Sequence, residues 1–324
     1  MLKTGTRYRN DGADGSAGSR YLRNMKIRIG YGLGTRTITN EADSFGGFID
    51  DLERLGFDSL WLSERIGGEA PDPLIALAYA ASRTTKLKLG TSVLVVPGRN
   101  PVLLAKELAT LDRLSNGRLL PAFGLGQADR HEQQAFGVER GDRAKIFNEV
   151  LPLLRRLWTE PSVDHDGAFF HYEGVTVLPK PVQDPIEIWL GGIAPSEIRR
   201  VGRLGDGWLP SFCTADDIAA AIPIINETAA EHDRRVDPEH IGALVAYSDG
   251  EVPDALARFI TKRRPDLDPT EIVPVGLPAV RVTIEKMVAA GASKFVLLPL
   301  SEPAADGWSA ELERIAAELK PLEN

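Results

Sequence analysis

The sequence predicts an α/β fold, a (β/α)8 TIM barrel with insertions. Three observations point there. Strand-like and helix-like patterns alternate from Lys26 to the end of the 324-residue chain, about eight βα units in about 300 residues, as such barrels need. The apolar runs are short and nearly continuous, as strands buried on both faces should be. Residues 87–126, LKLGTSVLVVPGRNPVLLAKELATLDRLSNGRLLPAFGLG, read as strand, loop, helix, strand, and two parallel strands joined by a helix need a right-handed crossover. An open doubly wound sheet is the runner-up. Against it, no G-x-G-x-x-G follows the first strand, and Gly30–Gly34 (GYGLG) carries only its first half.

The elements follow in order. Residues 1–24 are rich in Gly, Asp, Asn, Ser and Arg and have no apolar period. They are expected to be a disordered extension or a tag, and they lack the apolar core of a secretory signal. Residues 25–324 are expected to form one domain. Ile27–Tyr31 is the first strand, Phe45–Leu55 a helix closed by Gly56, and Ser59–Ser63 the second strand. Leu74–Thr84 is helical, with Pro73 suited to its first turn. Lys88–Val93 and Leu119–Leu125 are the third and fourth strands. Pro101–Ser115 between them places Val102, Leu103, Ala105, Leu108, Leu111 and Leu114 at helical spacing, and Asn116-Gly117 supplies a left-handed stop. Asp142–Trp158 is a long amphipathic helix. Val163–Leu178 alternates in two short runs and reads as an inserted hairpin. Strands follow at Ile186–Leu190, Gly207–Pro210, Gly242–Tyr247 and Lys294–Leu298. Helices near Pro195–Arg203, Asp216–Asp233, Val280–Ala290 and Ser309–Leu319 fill the gaps.

Composition narrows the function. Hydrophobic content of 43% and charged content of 26% are ordinary for a globular enzyme. A net charge of −8 argues against a nucleic-acid partner, which favours basic chains, and suits a cytoplasmic protein. No apolar run reaches 18 residues, so no membrane partner is expected. One cysteine, Cys213, excludes an internal disulfide framework; it either lines the mouth or is buried as a small hydrophobe. His131, His165, His171, His232 and His240 are scattered without H-E-x-x-H spacing, and no metal site is expected.

Barrel active sites lie where the strands end. That selects Gly32–Arg36, Ser63–Arg65, Thr91–Arg99, Gly124–Arg130, Gly191–Ser196, Ser211–Thr214, Tyr247–Asp249 and Pro299–Glu302. Ser63-Glu64-Arg65 is either a charged strand exit serving solubility or a group beside a bound ring system. Gly124-Leu125-Gly126-Gln127 is either a tight turn or a place of close backbone approach. Gly191-Gly192-Ile193-Ala194 opens a helix, whose exposed amides and dipole bind phosphate; the alternative is simple capping.

Three separated segments, LGTSVLVVPGRNPVLLAKELATLDRLSNGRL, LPKPVQDPIEIWLGG and GRLGDGWLP, closely resemble the bacterial luciferase-like monooxygenase superfamily, and within it the coenzyme F420-dependent oxidoreductases. The resemblance is strong over Ile27–Pro210. It implies a barrel with insertions and a non-prolyl cis peptide at Ser92–Val93 that backs the central ring of a flavin or deazaflavin. It implies that Gly124, Leu125, Gly126 and Gln127, with Gly191, Gly192, Ile193 and Ala194, hold the cofactor's ribityl chain and phosphate, and that Ser63 joins this set. The hairpin Val163–Leu178 matches the region that closes over the site.

This chain departs from the superfamily's sugar-phosphate and alcohol dehydrogenases. Those carry an Asp-His pair where this chain has Glu64-Arg65, and a Glu where it has Gln127. The resemblance therefore implies an oxidoreductase using F420, as F420H2, to pass a hydride to a small organic substrate. Glu64 would be the acid and Arg65 the stabiliser of developing charge. The alternatives are an FMN-dependent monooxygenase fed by a partner reductase and a non-catalytic cofactor-binding member. A homodimer is expected because dimers are common in the superfamily. The specificity loops Ile66–Asp72, Gln127–Arg140 and Ser248–Val275 carry no readable motif, and the substrate is unnamed.

Overall fold

The computed structural model describes residues 25–34, 42–127, 129–300 and 307–324. The expected extension 1–24 and the mouth positions 35, 36, 128, 301 and 302 lie outside the described residues. In chain order the elements are β1 (Arg28–Gly32), α1 (Ala42–Leu55), β2 (Ser59–Leu62), α2 (Pro73–Arg83), β3 (Lys88–Val95), α3 (Pro101–Leu114), β4 (Leu119–Gly124), α4 (Arg130–Phe136) and α5 (Arg143–Thr159). The hairpin β5 (Val163–Asp166) and β6 (His171–Val175) follows. Then come β7 (Trp189–Leu190), α6 (Pro195–Leu204), β8 (Gly207–Trp208), α7 (Ala215–Ala230), β9 (Gly242–Tyr247), α8 (Asp254–Arg263), α9 (Pro269–Ile272), α10 (Leu277–Ala289), β10 (Lys294–Pro299) and α11 (Gly307–Leu319).

Eight strands form one parallel sheet in the order β8-β7-β4-β3-β2-β1-β10-β9. Parallel bridges Trp208↔Ile241 and Ser211↔Leu244 join its two edges and close the barrel. The predicted fold class and the hairpin insertion are both present. The strands at 186–190 and 207–210 are shorter than expected, because only Trp189–Leu190 and Gly207–Trp208 meet neighbours in the ladder. The stretches 127–140 and 248–275, read as loops, hold α4, α8 and α9. These helices span seven, ten and four residues, too short to display an apolar period.

Local chemistry sets the helix starts. Asp72 accepts from the amides of Leu74 and Ile75, and Asn100 from those of Val102 and Leu103. Each cap precedes a proline in the first turn and contributes about 1 kcal/mol. Arg118, in the SNGRL segment, donates to the carbonyls of Ala81, Thr84, Leu87 and Ser115. It ties α2, β3 and the end of α3 at the foot of the barrel, so that part of the family-like motif is structural.

Trp61, Leu120, Ala122, Trp189, Leu209 and Val296 fill the barrel interior. The two indoles meet edge to face at 6.2 Å. Their Nε1 atoms donate to Ser59 Oγ at 2.8 Å and Glu187 Oε2 at 2.9 Å. Gly90 and Gly207 leave the room the indoles occupy. Below them, Lys294 Nζ lies 2.5 Å from Asp58 Oδ2, with Lys88 3.7 Å from the other oxygen. Burial pushes the Lys294 ammonium down to about 8, against the pull of Asp58.

Candidate functional site

Four neighbouring strand exits converge on the bulge of β3. The register of β3 against β4 shifts between Ser92 and Leu94, and the Ser92–Val93 peptide is cis, at the bond the resemblance implied. Ser63 Oγ, leaving β2, donates to the Ser92 carbonyl at 2.7 Å and lies 3.3 Å from Ser92 Oγ. The Glu64 amide donates to the Val93 carbonyl at 3.2 Å. From the far side, the Val93 side chain packs against Gly124 and reaches within 3.8 Å of the Cβ position on Gly191. Ser63, Ser92, Val93, Gly124 and Gly191 are therefore in one place.

Glu64 sits differently from its expected role. Its side chain is 3% exposed. One carboxylate oxygen accepts the Val95 amide at 2.7 Å and the other pairs with Arg99. Arg99 Nε also donates to the Val95 carbonyl at 2.9 Å. Glu64 and Arg99 thus clamp Val95, one at its N–H and the other at its carbonyl. Burial raises the Glu64 carboxyl above its ordinary value, and the Arg99 charge offsets only part of that rise. Arg65, by contrast, has 41% of its side chain exposed and lies 3.9 Å from Glu132.

The β4 exit is shaped by a residue absent from the sequence reading. One terminal nitrogen of Arg143 lies 3.3, 3.0 and 2.9 Å from the carbonyl oxygens of Leu125, Gly126 and Gln127. Leaving β7, Gly192 has φ 93°, a region L side chains rarely adopt. Its carbonyl accepts from Trp208 Nε1 at 2.9 Å. The Ala194 amide donates to Glu197 Oε2 at 3.0 Å, as part of a capping box at the start of α6. One amide expected to face a phosphate is thus engaged by a carboxylate, while those of Gly192 and Ile193 have no acceptor among the described residues.

Sequence reading gave no role to Arg99 and Glu132, which lie inside the selected stretches Thr91–Arg99 and Gln127–Arg140, and it did not single out Arg143. A long-range ion pair leaves no local signal. For Glu132 there was one: Asp129 caps the amides of His131 and Glu132, and Gly137 ends the turn with φ 65°. Cys213 is buried, and burial pushes its thiol up to about 12. Among the described residues, no group of three or more His, Cys, Asp and Glu side chains is placed to hold a metal ion, and no helix is long and apolar enough to cross a membrane.

Comparison with known proteins places this site in context. The profile of the luciferase-like monooxygenase family matches residues 25–309. A Kineococcus radiotolerans protein named F420-dependent glucose-6-phosphate dehydrogenase is 33% identical over 178 residues, 52% of this chain and 51% of that relative. The match thus spans about half that relative's length. A Beutenbergia cavernae protein of the same name is 29% identical over 308 residues, covering 83% of this chain and 90% of the relative. The structure of an F420-dependent secondary alcohol dehydrogenase in complex with an F420-acetone adduct superposes with a TM-score of 0.73. It covers 93% of this chain and 100% of that one at 20% identity, a likeness of fold.

Proposed function

Because the chain belongs to the luciferase-like monooxygenase family, we propose that it is an oxidoreductase using reduced coenzyme F420 to pass a hydride to a small organic substrate. The observation that carries this reading is the bulge at Ser92–Val93, held by Ser63 and by the Glu64–Arg99 clamp at the convergence of four strand exits. The names of the two relatives support the cofactor class.

The residues fit the group. The β3 bulge offers a fixed backbone face for a planar ring, and the amides of Gly192 and Ile193 are left for a phosphate. Bound there, the reduced deazaflavin supplies the hydride, and the protein's work is to position and shield it. Both oxygens of Glu64 are engaged, so Glu64 positions the bulge and is not an open base. An alcohol oxidation needs such a base; hydride delivery to an activated double bond needs only a proton at the end, which water supplies. Arg65, half exposed at the same exit, is the cation that stabilises negative charge developing on ring or substrate.

The same reading makes the protein a cytoplasmic homodimer without a nucleic-acid partner. Its net charge of −8 supports the location. The dimer is supported by Ile75, Leu103, Leu114, Leu178 and Val182, exposed apolar side chains on α2, α3 and the segment alongside α3. Titration of the protein with F420 and with FMN tests the function. The expected result is F420 bound at micromolar Kd or tighter, about −8 kcal/mol, with FMN at least tenfold weaker. Glucose 6-phosphate and simple alcohols should not reduce bound F420. Tight FMN binding without F420 binding would instead establish a flavin monooxygenase served by a separate reductase.

A further inference from the structure

Resting on that cofactor reading, we infer that α4 is a strap that positions the cofactor loops, with Glu132 and Arg143 as its positioning residues. The segment between β4 and α5 carries no motif, yet it meets the exits of β2, β3 and β4. Glu132, buried on α4, accepts the amides of Ile66 at 3.3 Å and Gly67 at 3.2 Å. This holds the chain just beyond Ser63, Glu64 and Arg65. At the end of α4, the Phe136 carbonyl lies directly against Gly98, whose φ is 97°; any Cβ there would overlap it. Gly98 immediately precedes Arg99 of the clamp. Arg143, the first residue of α5, then closes the insertion by gathering the carbonyls of Leu125, Gly126 and Gln127.

The Arg143 contact has a directional consequence. In a trans peptide the C=O and the following N–H point opposite ways. Drawing the Leu125 and Gly126 carbonyls onto one guanidinium turns the N–H groups of Gly126 and Gln127 away from it. Those two N–H groups have no acceptor among the described residues. Arg143 itself faces no carboxylate within ion-pair distance among the described residues, and its buried Nε has no partner there. The cation is balanced by carbonyl dipoles, so its desolvation is tolerated only while those carbonyls point inward. The loop and the cation fix one another. One strap thereby locks the loops on the side of the mouth where the bulge lies.

The test uses Glu132→Ala, Glu132→Gln, Arg143→Met and Arg143→Lys in the full chain. F420 affinity is read by fluorescence titration and backbone order by amide hydrogen exchange. Glu132→Ala should speed exchange at Ile66 and Gly67. Arg143→Met should speed it at Val96, whose N–H donates to the Gly124 carbonyl at 3.2 Å. Both should weaken F420 binding at least tenfold. Glu132→Gln and Arg143→Lys should recover part of the affinity. Wild-type affinity and unchanged exchange in both truncated variants would overturn the strap. If wild-type protein binds no F420, the functional reading fails, and the exchange measurements still decide the strap separately.

Discussion

Replacing Gly192 with valine, and separately Glu197 with glutamine, should move stability and cofactor affinity in a pattern that only a phosphate-binding loop produces. At Gly192 a Cβ would overlap the Glu197 carboxylate, and φ is 93°. The backbone strain of a side chain there costs about 1–3 kcal/mol. Relieving the overlap moves the carboxylate off the Ala194 amide, a further loss of about 1 kcal/mol for a half-exposed charge-assisted bond. Together these come to about 2–4 kcal/mol, and at about 2–4 °C per kcal/mol the melting temperature of Gly192→Val should fall by about 4–16 °C. Its F420 affinity should drop at least tenfold, about 1.4 kcal/mol. Glu197→Gln keeps an oxygen for the Ala194 amide but removes a negative charge from the helix N-terminus, costing about 0.3–1 kcal/mol of stability. The same change removes a competitor for the phosphate. With about 1 kcal/mol of repulsion left after screening, F420 should bind about fivefold tighter. Calorimetry and fluorescence titration in 0.15 M salt read both quantities. Affinity in Glu197→Gln equal to or below wild type would refute the placement of the phosphate at this loop.

Three further outcomes are expected. Glu64→Gln leaves Arg99 without its ion-pair partner and should cost about 2–3 kcal/mol in chemical denaturation, less than a fully buried break because Arg99 is 21% exposed; an unchanged midpoint would remove Glu64 from its clamping role. Lys294 is held at about 8 in the folded protein and titrates near 10.4 when unfolded. Between those values the unfolded chain binds more protons, so this group makes stability rise with pH. Lys294→Met should flatten the stability profile between about pH 8 and 10 while lowering it overall, since Asp58 keeps only Lys88 at 3.7 Å. A profile as steep as wild type would assign the slope to other groups. With its thiol buried and pushed up to about 12, Cys213 should resist iodoacetamide at pH 8 in native protein and react on unfolding, as mass spectrometry would show.

The barrel was legible because strands buried on both faces read as apolar runs and because caps such as Asp72-Pro73 and Asn100-Pro101 announce helix starts. That the strand exits at Ser63, Ser92 and Gly124 come together was legible too, since parallel topology sends every strand exit to one mouth. What a sequence conceals is which contacts tie those exits together. The Glu64–Arg99 pair spans 35 residues and the Glu132–Gly67 bond 65; neither has a local periodicity. Glu64 was read by position as an acid, and only the fold shows both of its oxygens engaged. The Glu197 carboxylate at the Ala194 amide was hidden for the opposite reason. It is three residues away, yet the same spacing serves as an ordinary helix cap, so the chain alone does not say whether the loop amides are free.

The paired indoles of Trp61 and Trp189 have an optical consequence. They lie in the interior cluster, in mutual contact and shielded from water. Indole emission overlaps the absorption of flavins and deazaflavins, so the cofactor proposed for the mouth would act as an energy acceptor for nearby indoles. Trp208 is a third candidate donor, since its Nε1 bonds to the Gly192 carbonyl, whereas Trp158 bonds to Ala105 on α3 and Trp308 packs on Phe48 of α1. Under the proposed function, quenching of the native ultraviolet emission would report occupancy of the mouth, and Phe substitutions at 61, 189 and 208 measured one at a time would apportion it among the three indoles without any added label.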